Sequence, residues 1–427
     1  MALNDDTTFT ASPLSETSAV QPQQRVGAKF LTVYGLVNFG FYLTVMMPAL
    51  FSLPYKVQLL MPDSKALAMG IVAAVGAVVG LFAGPAAGVL SDRTHSRWGR
   101  RRPWLMGGLL VVLAGSVIVA LSGTFLVLIV GWVVVSVGGS ACAAAITPVV
   151  AEHVPEAQRG TVSAIVGVAT QIGGVLGYTI GGMLTGSLLL LFVTPVLVFV
   201  VLAVIYMVAV PEPLVALPTT TIGQTFRLMI FNPARHRDFS LVWAGKFLMQ
   251  TSLAFLTTYQ LYFLSDRLGF TAAQAGQKLA LVGGIGILVT MTFAIVSGTL
   301  SDRFKRRKAF VASASVLSAI GLALMAYTTG FGMFFAAVMC VVGSAGMFGA
   351  VDVAMAGDLV PDRSQAGRWM TIYNLAASLP SAVAPLIGSA VLLIGSTVGG
   401  NYTALFLVGA VVAMGTGVVT LLVRGVR

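Results

Sequence analysis

Charge is what this chain has least of: of its 427 residues 9% are charged, with 14 Asp and Glu, 25 Lys and Arg and 3 His. Soluble domains carry about 25% charged residues. With 57% hydrophobic residues and a mean hydropathy of +0.94, the chain reads as a membrane protein embedded in a lipid bilayer. Only two cysteines are present, Cys142 and Cys340, both within apolar runs, which excludes a disulfide framework. No G-x-x-x-x-G-K-[ST] run is present to bind ATP. All three His (His95, His153 and His236) fall in loops, no His and Cys cluster has the spacing of a metal site, and no Ser, His, Asp set falls within an apolar run. The chain is therefore not expected to be an enzyme or to carry a cofactor or metal. Residues 1–27 hold Asp5, Asp6 and Glu16 ahead of the first basic residue, Arg25, the wrong charge for a secretory leader, so a disordered tail is expected there.

What is abundant is long apolar runs. They centre on residues 29–51, 66–90, 104–123, 126–151, 161–185, 188–210, 239–263, 274–300, 309–328, 331–357, 367–394 and 402–424. At 1.5 Å per residue each is long enough to cross a hydrocarbon core of about 30 Å. Twelve helices follow: an all-α membrane protein with bundles over 28–210 and 239–427 and a linker over 211–238. In that linker Ile222, Phe226, Met229 and Ile230 share a helical face beside Arg227, the pattern of a short helix lying on the membrane.

The net charge of +11 does not point to nucleic acid, because of where the charges lie. With the amino terminus in the cytoplasm, 20 of the 25 Lys and Arg fall in cytoplasmic segments; Lys56, Lys65, Arg267 and Lys278 lie outside or in the outer leaflet, and Lys246 lies within a span. The positive-inside rule then places both termini in the cytoplasm of a multi-pass cell-membrane protein. Short outer loops leave no domain to bind a partner chain, and a monomer is the expected working unit.

The chain repeats itself. GVLSDRTHSRWGRRRPW from Gly88 to Trp104 recurs as GTLSDRFKRRKAF from Gly298 to Phe310, 210 residues on for Gly88 and Gly298 and for Asp92 and Asp302. Glu152, Val154, Pro155 and Glu156 recur as Asp358, Val360, Pro361 and Asp362 at a spacing of 206. Arg100, Arg101 and Arg102 match Arg306, Arg307 and Lys308 at that same 206, so one four-residue insertion in the first loop reconciles both registers. The protein is a duplicated six-helix unit.

The two loops resemble the inter-helix motif of the major facilitator superfamily, in which Gly, Asp and Arg end the second helix and a basic cluster opens the third. The resemblance covers about residues 28–424. The longer first copy, with Arg97, Gly99, Arg100, Arg102 and Pro103, is similar to the glycoside-pentoside-hexuronide and sucrose-type symporter branch. Melibiose-type members hold sodium with acids on the second and fourth helices; here runs 66–90 and 126–151 contain none. The fifth helix, with Gly173, Gly177, Gly181 and Gly182, partly matches the antiporter motif, but Tyr178 stands where that motif has proline and Ala164 where it has its first glycine.

Asp92 and Asp302 end their helices, where the backbone dipole is already negative, so each needs a cationic or helix-start neighbour. The resemblance implies that Asp92 approaches the start of the eleventh helix and Asp302 that of the fifth, closing a cytoplasmic gate. With Gly88 and Gly298 at the turns and Gly99 in the loop, Glu152 and Asp358 are candidates to pair with Arg93, Arg97, Arg303 or Arg306. Asp352 is the one well-buried carboxylate, six residues before Asp358 and so about 9 Å deeper along its helix. Lys246 reaches a similar depth on the seventh helix. The resemblance implies that the first, fourth, seventh and tenth helices line the cavity, which gives an expected Lys246 to Asp352 ion pair, either coupling or structural.

Polar stripes complete the set. Tyr34, Asn38 and Tyr42 repeat every four residues on the first helix, Ser136 and Ser140 on the fourth, and Lys246 and Gln250, with Thr257 near that face, on the seventh. Gln171, Tyr373 and Asn374 on the fifth and eleventh add hydrogen-bonding groups. On cavity-lining helices these offer a wet path for a small polar solute, with interhelix bonding as the alternative for any one of them. Two transport readings stay open: symport of a small-molecule substrate such as a sugar or glycoside with a coupling cation, the proton, and proton-driven export of an amphipathic compound. A sensor that keeps this fold and moves nothing is a third.

Overall fold

A computed structural model of the chain describes residues 25–94, 96–210, 223, 231–395 and 400–425. Of the expected tail over 1–27, residues 1–24 lie outside the described residues, as do the linker positions Ile222, Phe226, Arg227, Met229 and Ile230, whereas Val26 is described and exchanges hydrogen bonds with the Gln158 side chain. Among the described residues twelve apolar helices make an all-α, multi-pass membrane protein: α1 Ala28–Leu60, α2 Pro62–Arg93, α3 Arg102–Leu121, α4 Phe125–His153, α5 Glu156–Met183, α6 Leu188–Ala209, α7 Arg237–Asp266, α8 Ala272–Phe304, α9 Arg307–Ala326, α10 Phe331–Asp358, α11 Gly367–Leu393 and α12 Tyr402–Leu421. Lipid offers the backbone no hydrogen-bond partner, so a run of this hydropathy satisfies its own N–H and C=O groups as a helix.

The face carrying the two repeated loops is called here the charged face, and the other the opposite face. Odd-numbered helices start at the charged face. At the opposite face, turns are tight and marked by caps: Thr124, Ser187, Thr271 and Asn401 each accept a hydrogen bond from a backbone N–H in the first turn of α4, α6, α8 and α12. Thr271 and Gln274 form a reciprocal capping box. α1 runs on to Leu60, beyond the expected end at 51, because a π-helical turn over Pro48–Ser52 absorbs the prolines without breaking the helix.

At the charged face, basic side chains take up the last carbonyls. Arg102 Nη2 donates to Val210 O just past α6, and Lys308 Nζ donates to Val423 O just past α12. These two residues are equivalents in the 206-residue register, so the duplication repeats a contact as well as a motif. Helix pairing repeats too. α1 packs on α5 and α6, α2 on α4, and α3 on α4 and α6; in the second half α7 packs on α11 and α12, α8 on α10, and α9 on α10 and α12. The halves meet through α2 with α11 and α5 with α8, again a symmetric pair.

Small residues set how close helices come where no hydrophobic effect draws them together. On α5, Gly173, Gly177 and Gly181 face Leu43, Met47 and Phe51 of α1. A Cβ on Gly177 would stand 3.0 Å from the Met47 Cα, and one on Gly181 would stand 2.5 Å from the Phe51 ring. Gly182 of α5 and Gly276 of α8 repeat this across the halves, where a Cβ on Gly276 would stand 2.8 Å from the Gly182 Cα. The glycines on α5 are thus a close-packing stripe.

Gly177→Val should lower the thermal stability of the purified protein by about 1–3 kcal/mol through overpacking against backbone. Gly174→Ala, whose Cβ would meet Leu50 at an ordinary 3.7 Å, should leave the melting curve in place. Equal melting shifts in the two variants would contradict the packing assigned to this stripe.

Candidate substrate and coupling site

The opposite face is closed by contacts between the halves. Lys65 at the start of α2 pairs with Asp266 at the end of α7, and Tyr402 Oη donates to Asp266 Oδ2 at 2.6 Å. Tyr262 Oη donates to Pro54 O at 2.9 Å, and the Lys65 ammonium stands 5.4 Å from the Tyr262 ring. Gln260 of α7 donates to Tyr178 Oη of α5, with both side chains buried. Gly70 of α2 lies against Pro385 and Ser389 of α11. The repeated motifs at the charged ends carry no sign of this seal. The lone acid ending α7, beside lysines on the same side, was the available signal for it.

Toward the charged face the halves part. Tyr178 and Gly182 are buried, whereas Gln171, Val168 and Ala164, on the same face of α5, are exposed. A space of about 490 Å³ opens between α2 (Ala77, Gly80, Leu81) and α11 (Leu375, Ser378, Leu379). The gate contacts expected across the halves are correspondingly not those found. Asp92 Oδ1 lies 3.5 Å from Arg101 and 3.8 Å from Arg100, within its own half. Asp302 is exposed, with no hydrogen bond or ion pair among the described residues. Arg100 Nη2 donates to Glu152 at 2.8 Å and Arg101 Nε at 3.1 Å, while Arg307 pairs with Asp358. The expected partners Arg93, Arg97, Arg303 and Arg306 are exposed or turned elsewhere; the Arg97 guanidinium stands 5.8 Å from the Trp98 ring. Arg101 and Arg307 were missed as partners, although the 206-residue register already made them equivalents. Gly88 and Gly298 have open or loose surroundings, and Gly99 takes φ of 100°, a left-handed turn conformation that suits glycine.

The polar stripes divide. On α1, Tyr34 and Asn38 are turned into packing rather than toward the opening: Tyr34, 1% exposed, donates to Ile146 O of α4 at 3.2 Å, and Asn38 donates to Tyr34 O at 2.8 Å. Their spacing fixed a shared face, and that face is covered by α4 and α6. Tyr42 is half-buried beside Phe41. Ser136 and Ser140 return their hydroxyls to the carbonyls one turn back, and they line a cavity of about 280 Å³ with Phe41, Thr44, Trp132 and Phe199. In the second half Gln250 is half-buried, while Thr257 and Asn374 are exposed.

Charge is concentrated at one point of the second half. Lys246 Nζ of α7 lies 3.8 Å from Asp352 Oδ2 of α10 and 3.6 Å from the centre of the Tyr373 ring of α11. Tyr373 Oη donates to Asp352 Oδ2, whereas Asp352 Oδ1 is buried without a hydrogen-bond partner among the described residues. Tyr373, expected to line the cavity, is fully buried and serves this cluster instead. The carboxylate side chain is 3% exposed and the lysine 11%, so the lysine is the member nearer the opening.

The pattern that defines the Major Facilitator Superfamily matches residues 30–351 and again 279–427. Among solved structures, the nucleoside transporter NupG is 12% identical with a TM-score of 0.71, over 92% of this chain and 98% of that one. A bacterial homolog of the human lysosomal transporter Spinster, in an inward-facing conformation, is 14% identical with a TM-score of 0.67, over 92% and 94%. At such identities the likeness is one of fold. An uncharacterized symporter of Synechocystis sp. is 49% identical over 41 residues, 10% of this chain and 8% of that protein, so the chain spans only a small part of that relative.

The Lys65 and Asp266 latch predicts how the opposite face opens. In a background with Cys142→Ser and Cys340→Ser, a reporter introduced by Thr257→Cys should react faster with a membrane-impermeant maleimide from the opposite face once Asp266→Asn is added. The expected rise is roughly fivefold, the population shift given by about 1 kcal/mol of lost pairing. An unchanged rate would show that this pair does not hold the halves together.

Proposed function

Because the chain belongs to the major facilitator superfamily, we propose that this membrane transporter works by alternating access as a proton-coupled symporter of a small polar solute such as a sugar or glycoside. The observation that carries the coupling reading is the buried cluster of Lys246, Asp352 and Tyr373 beside the opening. A carboxylate this deep is costly unless neutralised by a partner or a proton, which makes its charge responsive to what else enters the site. The excess of Lys and Arg on the charged face supports placing that face in the cytoplasm of a cell-membrane protein, with both termini inside. On that reading the arrangement described above is the inward-facing state.

Residues 28–210 and 239–427 then act as two bodies joined by 211–238, rocking about the close contacts near the opposite face. Asp92 and Asp302 belong to the other state, in which the charged ends of α2 and α8 approach α11 and α5. The cavity walls assigned to the solute are Tyr42, Ser136, Ser140 and Gln171 on one side and Gln250, Thr257 and Asn374 on the other. A second reading, proton-driven export of an amphipathic compound, draws on the apolar wall of Phe41, Trp132 and Phe199.

Asp352→Asn separates coupling from structure. In proteoliposomes this variant should lose proton-driven accumulation by about tenfold or more, while counterflow exchange of labelled solute continues. Proton-linked uptake equal to that of the unaltered protein would remove Asp352 from the mechanism.

A further inference from the structure

The lysine and the carboxylate of the charged cluster are paired by charge without a direct hydrogen bond between them. At 3.8 Å, Lys246 Nζ is outside hydrogen-bond distance of Asp352 Oδ2, and its closer neighbour is the face of the Tyr373 ring at 3.6 Å. Tyr373 already donates to Oδ2, and the other oxygen, Oδ1, is buried with no partner among the described residues. A buried carboxylate with one bare oxygen is a group prepared to accept a proton there. Once Oδ1 holds that proton, Lys246 retains its aromatic cradle and its partial exposure and loses its counterion.

No other charged side chain is placed to replace it. α7 carries Arg237, Asp238 and Asp266 only near its ends, α8 carries Lys278, Asp302 and Arg303, α9 carries Arg307 and Lys308, and α11 carries Arg368. Asp266 is engaged with Lys65 at the opposite face, and Asp358 with Arg307 at the charged face. The groups that face Asp352 from the packed helices are thus Lys246 and Tyr373. A lone ammonium in a site of low polarity is costly, and an incoming anion relieves that cost.

We infer that the solute carries an anionic group, and that its carboxylate takes the place of Asp352 as the counterion of Lys246 when Asp352 is protonated. This inference rests on the transporter reading above and names the substrate class of that same site: a hydroxylated monocarboxylate rather than a neutral sugar. The proton from solution goes to Asp352 Oδ1, the solute carboxylate goes to Lys246 Nζ, and the hydroxylated body faces Gln250, Thr257 and Asn374, which are half-buried or exposed along the same opening. Proton and monoanion enter together with no net charge. Without the proton Asp352 repels the anion; without the anion Lys246 draws the proton off Asp352. Each ligand therefore favours the other, which is the thermodynamic content of symport.

The test uses full-length protein and matched pairs of probes, gluconate with sorbitol and glycerate with glycerol, read by ligand-induced thermal stabilisation and by counterflow in proteoliposomes. A carboxylate should stabilise the protein at least roughly tenfold more tightly near pH 6 than near pH 8, and its neutral counterpart should not. Asp352→Asn should bind the carboxylate with that pH dependence removed. Lys246→Gln should lose carboxylate binding, and Lys246→Arg should restore part of it, which separates charge from folding. Stabilisation by the polyols with Lys246→Gln unaffected, or by no carboxylate at all, overturns the inference. Counterflow of a neutral polyol would do so while upholding the transporter reading, whereas absence of counterflow for every probe would remove that reading as well.

Discussion

An ionised side chain away from water must have a counter-charge, and this constraint organises the second half of the molecule. Lys246 and Asp352 are far apart in the chain and belong to helices α7 and α10, which run in opposite directions. Their meeting requires that the two helices keep their depth and rotation. α11 supplies the third side of the enclosure by bringing in Tyr373, whose ring faces the cation and whose hydroxyl donates to the anion. One aromatic residue thus holds both members of the pair without joining them. A fully bonded ion pair would resist any change in protonation, and a separated pair would not survive burial.

Positioning of that accuracy has to come from packing that owes little to the hydrophobic effect, since lipid is as apolar as the helices themselves. The glycine stripe on α5 meets α1 within its own half and then, through Gly182 and Gly276, meets α8 across the halves. Both uses lie toward the opposite face. The charged ends are held by side chains instead: Arg101 with Glu152 and Arg307 with Asp358, each within one half. With close backbone contact where the halves join and self-contained ion pairs where they part, each half is held at its charged ends by its own side chains.

The spans were legible because hydropathy and length are properties of the chain alone. Duplication was legible because Asp92 and Asp302 share a register that one insertion reconciles with that of Glu152 and Asp358. The meeting of Lys246 with Asp352 was expected from two things together: depth, which a helix converts directly from residue count, and the set of cavity-lining helices that the family resemblance implies. Rotation was harder. Tyr34 and Asn38 lie on one face of α1, but periodicity names a face without naming its neighbour, and here the neighbours are α4 and α6. Tyr373 was placed in the cavity for the same reason. Asp92 was expected to reach across the halves on the strength of the resemblance, whereas its neighbours are Arg100 and Arg101 of its own half, and under the proposed alternation no local pattern would encode which state the chain holds. The seal of Lys65, Asp266 and Tyr402 was missed because its members come from three helices and form no motif.

The two halves, alike in backbone, are unlike in chemistry at the level that matters most. In the 206-residue register the counterpart of Asp352 is Ile146 (352 − 206 = 146), and in the 210-residue register that of Lys246 is Leu36 (246 − 210 = 36). The link between α1 and α4 survives in neutral form, as the Tyr34 hydroxyl donating to the Ile146 carbonyl, while the matching link between α7 and α10 is the charged one. A neutral hydrogen bond to a backbone carbonyl carries no net charge, so this link in the first half does not depend on the charge state of Asp352 or Lys246. The cavity wall it offers is accordingly aromatic and aliphatic, with Phe41, Trp132 and Phe199 around two serines whose hydroxyls are satisfied within their own helix. One half thus offers an uncharged wall and the other carries the buried ion pair, so under the proposed function a solute between them would meet an uncharged surface on one side and a charged one on the other.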